Sequence, residues 1–550
     1  MDERRVCQVG SGGEVTAAWK DPLELRRSLG DLLGPSALAA EVPAAVAELV
    51  KVTLGRSEVT LDAKDARFTD PAWRDHPGYR RLGQSYRVWE QTLERLVTRT
   101  GSAGRDRQQR ARFLADILSG ALAPTNVLPG NPAALKRAFD TGGLSVARGV
   151  RNLVRDAVTN GGMPRMVDSR PFEVGRNLAC TPGAVVYREE MFEVLQYTPS
   201  TPTVRSRPLV VIPPQLNRYY VLDLSPGRSV VEYAIAHGVQ TFMVVWRNPR
   251  PEHGGWALDD YLKAMLRVIE VVQSISGSDD LNWFGLCAGG ATSALLLGHL
   301  AEIGESPIKS ATFLVTMLDS RCANMVGTLA TPGVREVVGK DAAEGKIYGS
   351  RAVARNFAWM RPNDLVFRYV VNGWLLGNDP PSFDLLAWND DATRITAAFE
   401  RDSLDVLATD KATRPGEVTV LGTPIDLSRV DIDSFHVAGQ KDHITTWRPC
   451  YLTSQLLGGN SEMVLTDSGH IQSFVNPPDE SRYHYWTASA IDAEPDTWLA
   501  KATRNDGSWW PRWIEWLLAR SGSETPSPSD LGNDLYPPGD AAPGRYVHEK

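Results

Sequence analysis

The segment Leu281-Asn282-Trp283-Phe284-Gly285-Leu286-Cys287-Ala288-Gly289-Gly290 contains the features that decide the fold. A strand-like apolar run leads into a glycine-rich turn, and residues 291–300 follow with a helical pattern. A cysteine at such a strand-to-helix turn is the arrangement of a nucleophile elbow, with Cys in the place where many hydrolases have Ser. The segment therefore predicts a nucleophile at Cys287. The alternative is a buried cysteine before an ordinary glycine-rich helix start.

Short apolar runs typical of buried parallel strands recur on both sides of this segment. They cover residues 209–212, 241–246, 311–318, 434–438 and 462–465. Helical patterns such as residues 261–274 lie between them. The alternation predicts an α/β fold of the α/β-hydrolase type, with a mainly parallel sheet and helices on both faces.

The chain divides into regions with different patterns. Residues 1–195 carry apolar residues at three- and four-residue steps and predict a helical N-terminal region. Residues 196–550 carry the strand–helix alternation and predict the catalytic domain. Within it, the alternation lapses over residues 321–423, which predicts an inserted cap over the sheet. Residues 521–550 are rich in Pro, Gly and Ser and predict an irregular C-terminal tail.

Composition excludes several classes of function. The 42% of hydrophobic and 23% of charged residues are typical of a globular protein, and 550 residues favour two or more packed units. The net charge of −7 gives no reason to expect a nucleic-acid partner. No transmembrane segment is predicted, and the charged start does not resemble a secretory signal. We therefore expect a cytoplasmic protein.

The cysteines support the same compartment. They are Cys7, Cys180, Cys287, Cys322 and Cys450. Their number is odd, they are scattered, and none forms a CxxC pair. The sequence thus predicts neither a disulfide framework nor a metal site, and favours a reducing cytosol in which one thiol can act as a nucleophile.

A thiol nucleophile needs a base and an acid, which in this fold follow it along the chain in the order acid, then histidine. His470 lies in a loop just after a late strand and is the expected base. Asp442 lies one strand earlier and is the expected acid, with Asp319 as its competitor. His443 is a rival base for which we expect a supporting role.

Acyl transfer also requires donors for the oxyanion that forms on the attacked carbonyl. The backbone N–H of Ala288, directly after the nucleophile, is the natural first donor. A second is expected from the loop after the strand at residues 209–212, at Leu216.

Beyond these residues, the chain resembles the polyhydroxyalkanoate synthase family from about residue 65 to the C-terminus. The motifs that carry the resemblance are FTDPAW (68–73), PTN (124–126), PPQLNRYY (213–220), WRNP (246–249), GLCAGG (285–290), RPNDL (361–365), GTPIDL (422–427), KDHI (441–444), SGHI (468–471), GSWWP (507–511) and APGRYV (542–547). Gln215, where some branches have Cys, together with residues 422–427 and 469–473, makes the chain more similar to the medium-chain-length (class II) branch.

The resemblance implies an acyltransferase that polymerises (R)-3-hydroxyacyl-CoA into a polyester with release of CoA, through a thioester on Cys287. It implies no cofactor, since CoA is part of the substrate. It further implies a homodimer in the cytoplasm, with the growing polyester chain and the granule surface as partners.

Two other functions are compatible with the same residues. One is a thiol hydrolase or polyester depolymerase of the same fold, and the other is a non-catalytic granule-associated protein. The role of Asp442 is also open, because this carboxylate could orient His470 or act on the substrate hydroxyl.

Overall fold

The computed structural model describes residues 22–319, 325–478 and 482–550. Cys7 and Cys322 lie outside the described residues. The N-terminal helices are α1 (Pro22–Leu33), α2 (Pro35–Thr53), α3 (Ala72–Asp75), α4 (Pro77–Arg99), α5 (Arg105–Ala121), α6 (Pro132–Asp140) and α7 (Leu144–Thr159). Over the described residues, no single helix has the length and apolarity to cross a membrane. In the part of the chain that the structure describes, one pair of helices, α1 and α2 across a 45° bend, meets that criterion together.

A ten-stranded sheet organises the rest of the chain. The strands of the protein are β1 (Gly183–Arg188), β2 (Phe192–Tyr197), β3 (Thr203–Arg205), β4 (Leu209–Ile212), β5 (Thr241–Trp246), β6 (Leu281–Leu286), β7 (Ile308–Leu314), β8 (Ile347–Tyr348), β9 (Ile395–Thr396), β10 (Thr419–Val420), β11 (Thr423–Pro424), β12 (Asp433–Gly439), β13 (Ser461–Thr466), β14 (His484–Thr487), β15 (Thr503–Asp506) and β16 (Glu524–Pro526). The order in the large sheet is β1-β2-β5-β4-β6-β7-β12-β13-β14-β15. Its six central strands are parallel, and the two at each edge are antiparallel.

The other helices either cover the two faces of the sheet or belong to the inserted segment between β7 and β12. They are α8 (Val230–Ala236), α9 (Leu258–Ser276), α10 (Ala288–Ile303), α11 (Met325–Leu329), α12 (Pro332–Ala343), α13 (Ser350–Met360), α14 (Asp384–Asp390), α15 (Ala397–Leu407), α16 (Trp447–Thr453), α17 (Pro495–Lys501) and α18 (Trp510–Leu518). Every residue of β4, β5 and β6 is buried. Because successive side chains point to opposite faces, Val211 and Phe284 join one hydrophobic core while Val210 and Trp283 join the other. The predicted α/β-hydrolase fold is confirmed.

One predicted boundary is wrong. Residues 1–195 were expected to be helical, yet the helices end at Thr159, and β1 and most of β2 lie before residue 196. These two strands form an antiparallel hairpin that extends the large sheet beyond β5. The sheet therefore begins at Gly183. The charged residues Glu189 and Glu190 interrupt the apolar pattern because they lie between the two strands.

The inserted segment lies between β7 and β12 and contains α11 to α15. It also contains two π-helical segments, Asn363–Phe367 and Val370–Leu375. These segments pack against α7, where Asn152 donates to the Gly373 carbonyl at 3.0 Å and the Trp374 indole donates to Asp156 at 2.9 Å. These hydrogen bonds fix the cap against the N-terminal helices.

The tail after residue 520 is more ordered than its composition suggests. Its strand β16 pairs with β3, and Tyr546 and Val547 are buried against the large sheet. The remaining residues are largely without regular structure, as expected.

Candidate active site

Cys287 occupies the turn between β6 and α10. Its backbone has φ 51° and ψ −117°. Residues other than glycine rarely adopt such a positive φ, so the turn holds Cys287 in a strained conformation. The turn is so tight that a Cβ added to Gly285 would lie 2.6 Å from the Gly290 Cα. A Cβ on Gly289 would lie 2.5 Å from the Ile212 carbonyl oxygen. The glycines predicted for the elbow are therefore required by its geometry.

The structure brings His470 and Asp442 together beside Cys287. His470 Nδ1 lies 2.6 Å from Asp442 Oδ2, and the Cys287 thiol is close enough to the imidazole to raise its pKa. The Asp442 side chain is completely buried and His470 is 12% exposed. Three groups that span 183 residues of the chain thus lie side by side, because each follows a parallel strand that ends at the same edge of the sheet.

Their mutual electrostatic attraction shifts the pKa values of His470 and Asp442 in opposite directions. Burial acts to lower the pKa of His470, but the negative charge of Asp442, its hydrogen bond and the contact with Cys287 raise it above its ordinary value. Burial acts to raise the pKa of Asp442, yet the His470 charge and hydrogen bonds lower it. The arrangement suits an imidazole that accepts a proton and holds it strongly.

Thr445, which the sequence did not point to, contacts both members of the Asp442–His470 pair. Thr445 Oγ1 donates to Asp442 Oδ2 at 2.9 Å and lies 3.1 Å from His470 Nδ1. The backbone N–H groups of Ile444 and Thr445 donate to Asp442 Oδ1 at 2.8 and 3.1 Å. The Asp-x-x-Thr spacing is a local turn signal that could have pointed to this role.

The rival base His443 lies in a different environment. It has no hydrogen-bond partner among the described residues, and burial, assisted by the charge of Arg361, lowers its pKa to about 4. The competing acid Asp319 is buried after β7, where its backbone N–H donates to Thr453. In the described structure, the histidine that contacts a carboxylate beside the elbow is His470.

The loop after β4 lies across the N-terminus of α10. Gln215 Nε2 donates to Thr292 Oγ1 at 3.0 Å, and the Trp246 indole donates to the Pro213 carbonyl at 3.0 Å. Leu216 and Ala288, the two expected oxyanion donors, border the same cavity as Cys287. The first N–H groups of a helix have no partner within the helix, so Ala288 has a donor available there.

A large cavity opens from Cys287 beneath the cap. Its volume is about 1890 Å³, and its wall includes His470, Thr445 and His443 as well as apolar cap residues. Phe113 of α5 also contributes, so the N-terminal helices complete the wall. Asp442 is absent from the described residues that line it. Over the same described residues, no cluster of His, Cys, Asp or Glu is arranged to hold a metal.

The fold and this site define a class: an α/β-hydrolase-fold protein with cysteine at the elbow, histidine and aspartate beside it, and a capped apolar cavity. Residues 208–477 match the family model of the alpha/beta hydrolase fold, and residues 64–234 match that of the poly-beta-hydroxybutyrate polymerase (PhaC) N-terminus.

Comparison with known proteins shows to which family within this class the chain belongs. The chain is 43% identical to poly(3-hydroxyalkanoate) polymerase 1 of Ectopseudomonas oleovorans, over 92% of this chain and 90% of that one. It is 45% identical to polymerase 2 of that organism, over 91% and 89%. It is 38% identical to the polymerase subunit PhaC of Cupriavidus necator, over 90% and 85%. The chain therefore belongs to the poly(3-hydroxyalkanoate) polymerase family and is an acyltransferase-type enzyme.

Proposed function

We propose that this chain polymerises (R)-3-hydroxyacyl units from CoA thioesters into a polyester and releases CoA. The observation that carries the proposal is the hydrogen-bonded pair of Asp442 and His470 beside Cys287, at the wall of a large, mostly apolar cavity. The cavity is larger than the roughly 300–1,000 Å³ of ordinary small-molecule sites, which suits a substrate of more than one acyl unit.

The first step loads the enzyme. His470 takes the thiol proton of Cys287, and the thiolate attacks the thioester carbonyl. The N–H groups of Ala288 and Leu216 stabilise the oxyanion of the tetrahedral intermediate. The bond from carbon to the CoA sulfur then breaks, and the departing CoA thiolate takes the proton from His470. One thioester replaces another, and no cofactor takes part.

The second step forms the ester bond. His470 removes the proton from the 3-hydroxyl of an acyl unit, whose oxygen attacks a second acyl thioester. The carbon–sulfur bond of that thioester breaks, and the thiolate released takes the proton from His470. Asp442 lies behind His470 and outside the cavity wall, which supports orientation of the imidazole rather than direct contact with the hydroxyl.

A CoA-release assay across acyl chain lengths, with analysis of the products, tests this proposal. We expect CoA release to be accompanied by polyester of high molecular mass. Free hydroxy acid in place of polymer would identify a thiol hydrolase or depolymerase. No release of CoA from any 3-hydroxyacyl thioester would favour a non-catalytic granule protein.

We also propose that the N-terminal helices contact the granule surface in the cytoplasm and contribute to a homodimer. Helix α7 supports this because its amphipathicity is reversed. Its small and polar residues face the protein and are buried, namely Ser145, Gly149, Asn152 and Asp156. Its apolar residues face outward and are exposed, namely Val150, Leu153, Val154 and Val158. An exposed apolar stripe on a helix fits a partner surface that is itself apolar.

The exposed apolar residues are concentrated in this region. Among the described residues, all the exposed large hydrophobic side chains except Ile303, Phe383 and Leu535 lie between residues 42 and 158. The concentration supports a surface that a polyester granule could cover.

Replacing Val154 and Val158 together by Ser tests this surface. We expect binding to purified polyester granules to fall at least about tenfold, because full burial of one valine contributes roughly 1.5 kcal/mol. Turnover of soluble substrate should stay unchanged, since both side chains lie on the outer face of α7. Granule binding is measured by sedimentation, and the oligomeric state by analytical ultracentrifugation.

The matched control replaces Ile303 and Leu535, which are exposed but lie outside the N-terminal helices, by Ser. This control should bind granules normally. Equal loss in both variants would contradict a specific surface on α7. Conversion of the Val154 and Val158 variant to a monomer would assign the stripe to the homodimer.

A further inference from the structure

The segment Tyr546–Lys550, here called the tail segment, lies against the loop that follows β4. Arg218 of that loop donates from Nη1 to the Tyr546 carbonyl at 3.2 Å and from Nη2 to the Glu549 carbonyl. Arg218 is only 3% exposed, and its Nε lies 3.6 Å from Asp391 Oδ2. A buried guanidinium without hydrogen-bond acceptors strongly destabilises the folded protein. The position of the loop therefore depends on the tail segment, which supplies two of these acceptors.

The tail segment is itself firmly anchored. The Glu549 carboxylate accepts from Arg247 at 2.9 and 3.1 Å and from Arg250 at 2.9 Å. Both arginines follow β5, so these charge-assisted bonds fix Glu549 to the end of a central strand. The Tyr546 N–H donates to the buried carboxylate of Glu193 in β2 at 3.1 Å. The position of the Glu549 carbonyl is thus set by the sheet.

The cap shares this network. The Trp388 indole of α14 donates to the Arg218 carbonyl at 2.8 Å. Lys550 Nζ lies 2.7 Å from Asp391, and Arg394 donates to the Lys550 carbonyl at 2.8 Å. The tail segment therefore joins the sheet, the loop after β4 and the base of the cap at one point.

Arg218 lies two residues after Leu216, and Leu216 and Asn217 line the cavity beside Cys287. We propose that Arg218 and the tail segment are positioning residues, which hold the Leu216 N–H where the oxyanion forms without touching the substrate. The inference rests on the proposed function, in which Leu216 supplies the second oxyanion donor. Small displacements of such a donor matter because its contribution depends on its distance to the developing charge.

Two variants test the inference from opposite sides of the contact. One is the chain shortened by Glu549 and Lys550, and the other is Arg218→Lys, which keeps the charge but loses the forked guanidinium. We expect kcat for CoA release to fall at least about tenfold in each, since loss of one oxyanion donor costs roughly 100- to 1,000-fold. The double variant should be no slower than the slower single variant, because both changes act through one contact.

Alkylation of Cys287 by iodoacetamide separates positioning from general damage. In this reaction the thiolate displaces iodide, so it needs the nucleophile but forms no oxyanion. We expect the alkylation rate of both variants to stay within about twofold of the unmodified protein. The matched control is Glu524→Gln, which removes a surface carboxylate outside the tail segment. Glu524 pairs with Arg205 at 3.4 Å at the surface, so this change should leave both reactions unchanged.

Alkylation that slows by the same factor as CoA release would overturn the inference, because the whole site would then be distorted. Unchanged CoA release in both variants would overturn it as well. Failure of the proposed function would appear separately, as CoA release that persists in a Cys287→Ala variant with an intact tail segment.

Discussion

Cys287→Ala should abolish both CoA release and polymer formation, with a loss of at least roughly 10⁴-fold, because removal of a catalytic nucleophile eliminates the covalent route. The fold should be almost unaffected. Alanine removes one sulfur atom at the elbow and leaves the packing of Gly285 and Gly290 intact. Activity is measured as CoA release, acylation by intact mass, and stability by thermal unfolding of the same preparations.

Cys180→Ala is the matched control. This cysteine is half-buried, and burial raises its pKa, so it is a weak nucleophile at neutral pH. The control should keep most of the activity, as should a change at the buried Cys450, whose pKa burial also raises. Substantial polymer formation by Cys287→Ala would place the nucleophile elsewhere.

Asp442→Asn should separate the two chemical steps. A thiol gives up its proton to an imidazole more easily than an alcohol does, so the acylation of Cys287 needs little help from Asp442. A secondary hydroxyl is far less acidic and needs a correctly oriented, strongly basic imidazole. We therefore expect acyl-enzyme to accumulate on Cys287 while polymer formation falls by about 10⁴-fold, the loss known for the equivalent change in a serine triad. Rapid quench followed by intact-mass measurement detects the acyl-enzyme.

His470→Gln should impair both steps, because glutamine cannot accept the proton in either. His484→Gln is the matched control, since His484 also pairs with a carboxylate, Asp467, at 3.3 Å but does not line the described cavity wall. If Asp442→Asn forms no acyl-enzyme, the carboxylate is needed from the first step. If it polymerises normally, Asp319 becomes the better candidate for the acid.

The sequence alone was sufficient to predict the α/β-hydrolase fold. The strands at residues 209–212 and 241–246 were predicted to the residue, because buried parallel strands are short and apolar throughout. The elbow could also be predicted, since its glycines and cysteine form a contiguous motif between a strand pattern and a helix pattern. The motifs also predicted the polymerase family, because they are local features of the chain.

What the tertiary structure decided depends on residues distant in sequence. The hairpin β1–β2 was missed because its strands are separated by charged residues and its pairing partner, β5, lies about 50 residues later. Asp442 and Asp319 both follow strands, and only the packing of the loops shows which carboxylate reaches His470.

The same holds for the surface of α7 and for the contact between Arg218 and Glu549, which are 331 residues apart. A periodic pattern shows that a helix has an apolar side, but it does not show whether that side faces the core or the solvent. Nothing in the sequence shows that a particular arginine side chain donates to a particular backbone carbonyl. Local sequence therefore determined the elements and the nucleophile, whereas long-range packing determined the partners of the triad and the position of its oxyanion loop.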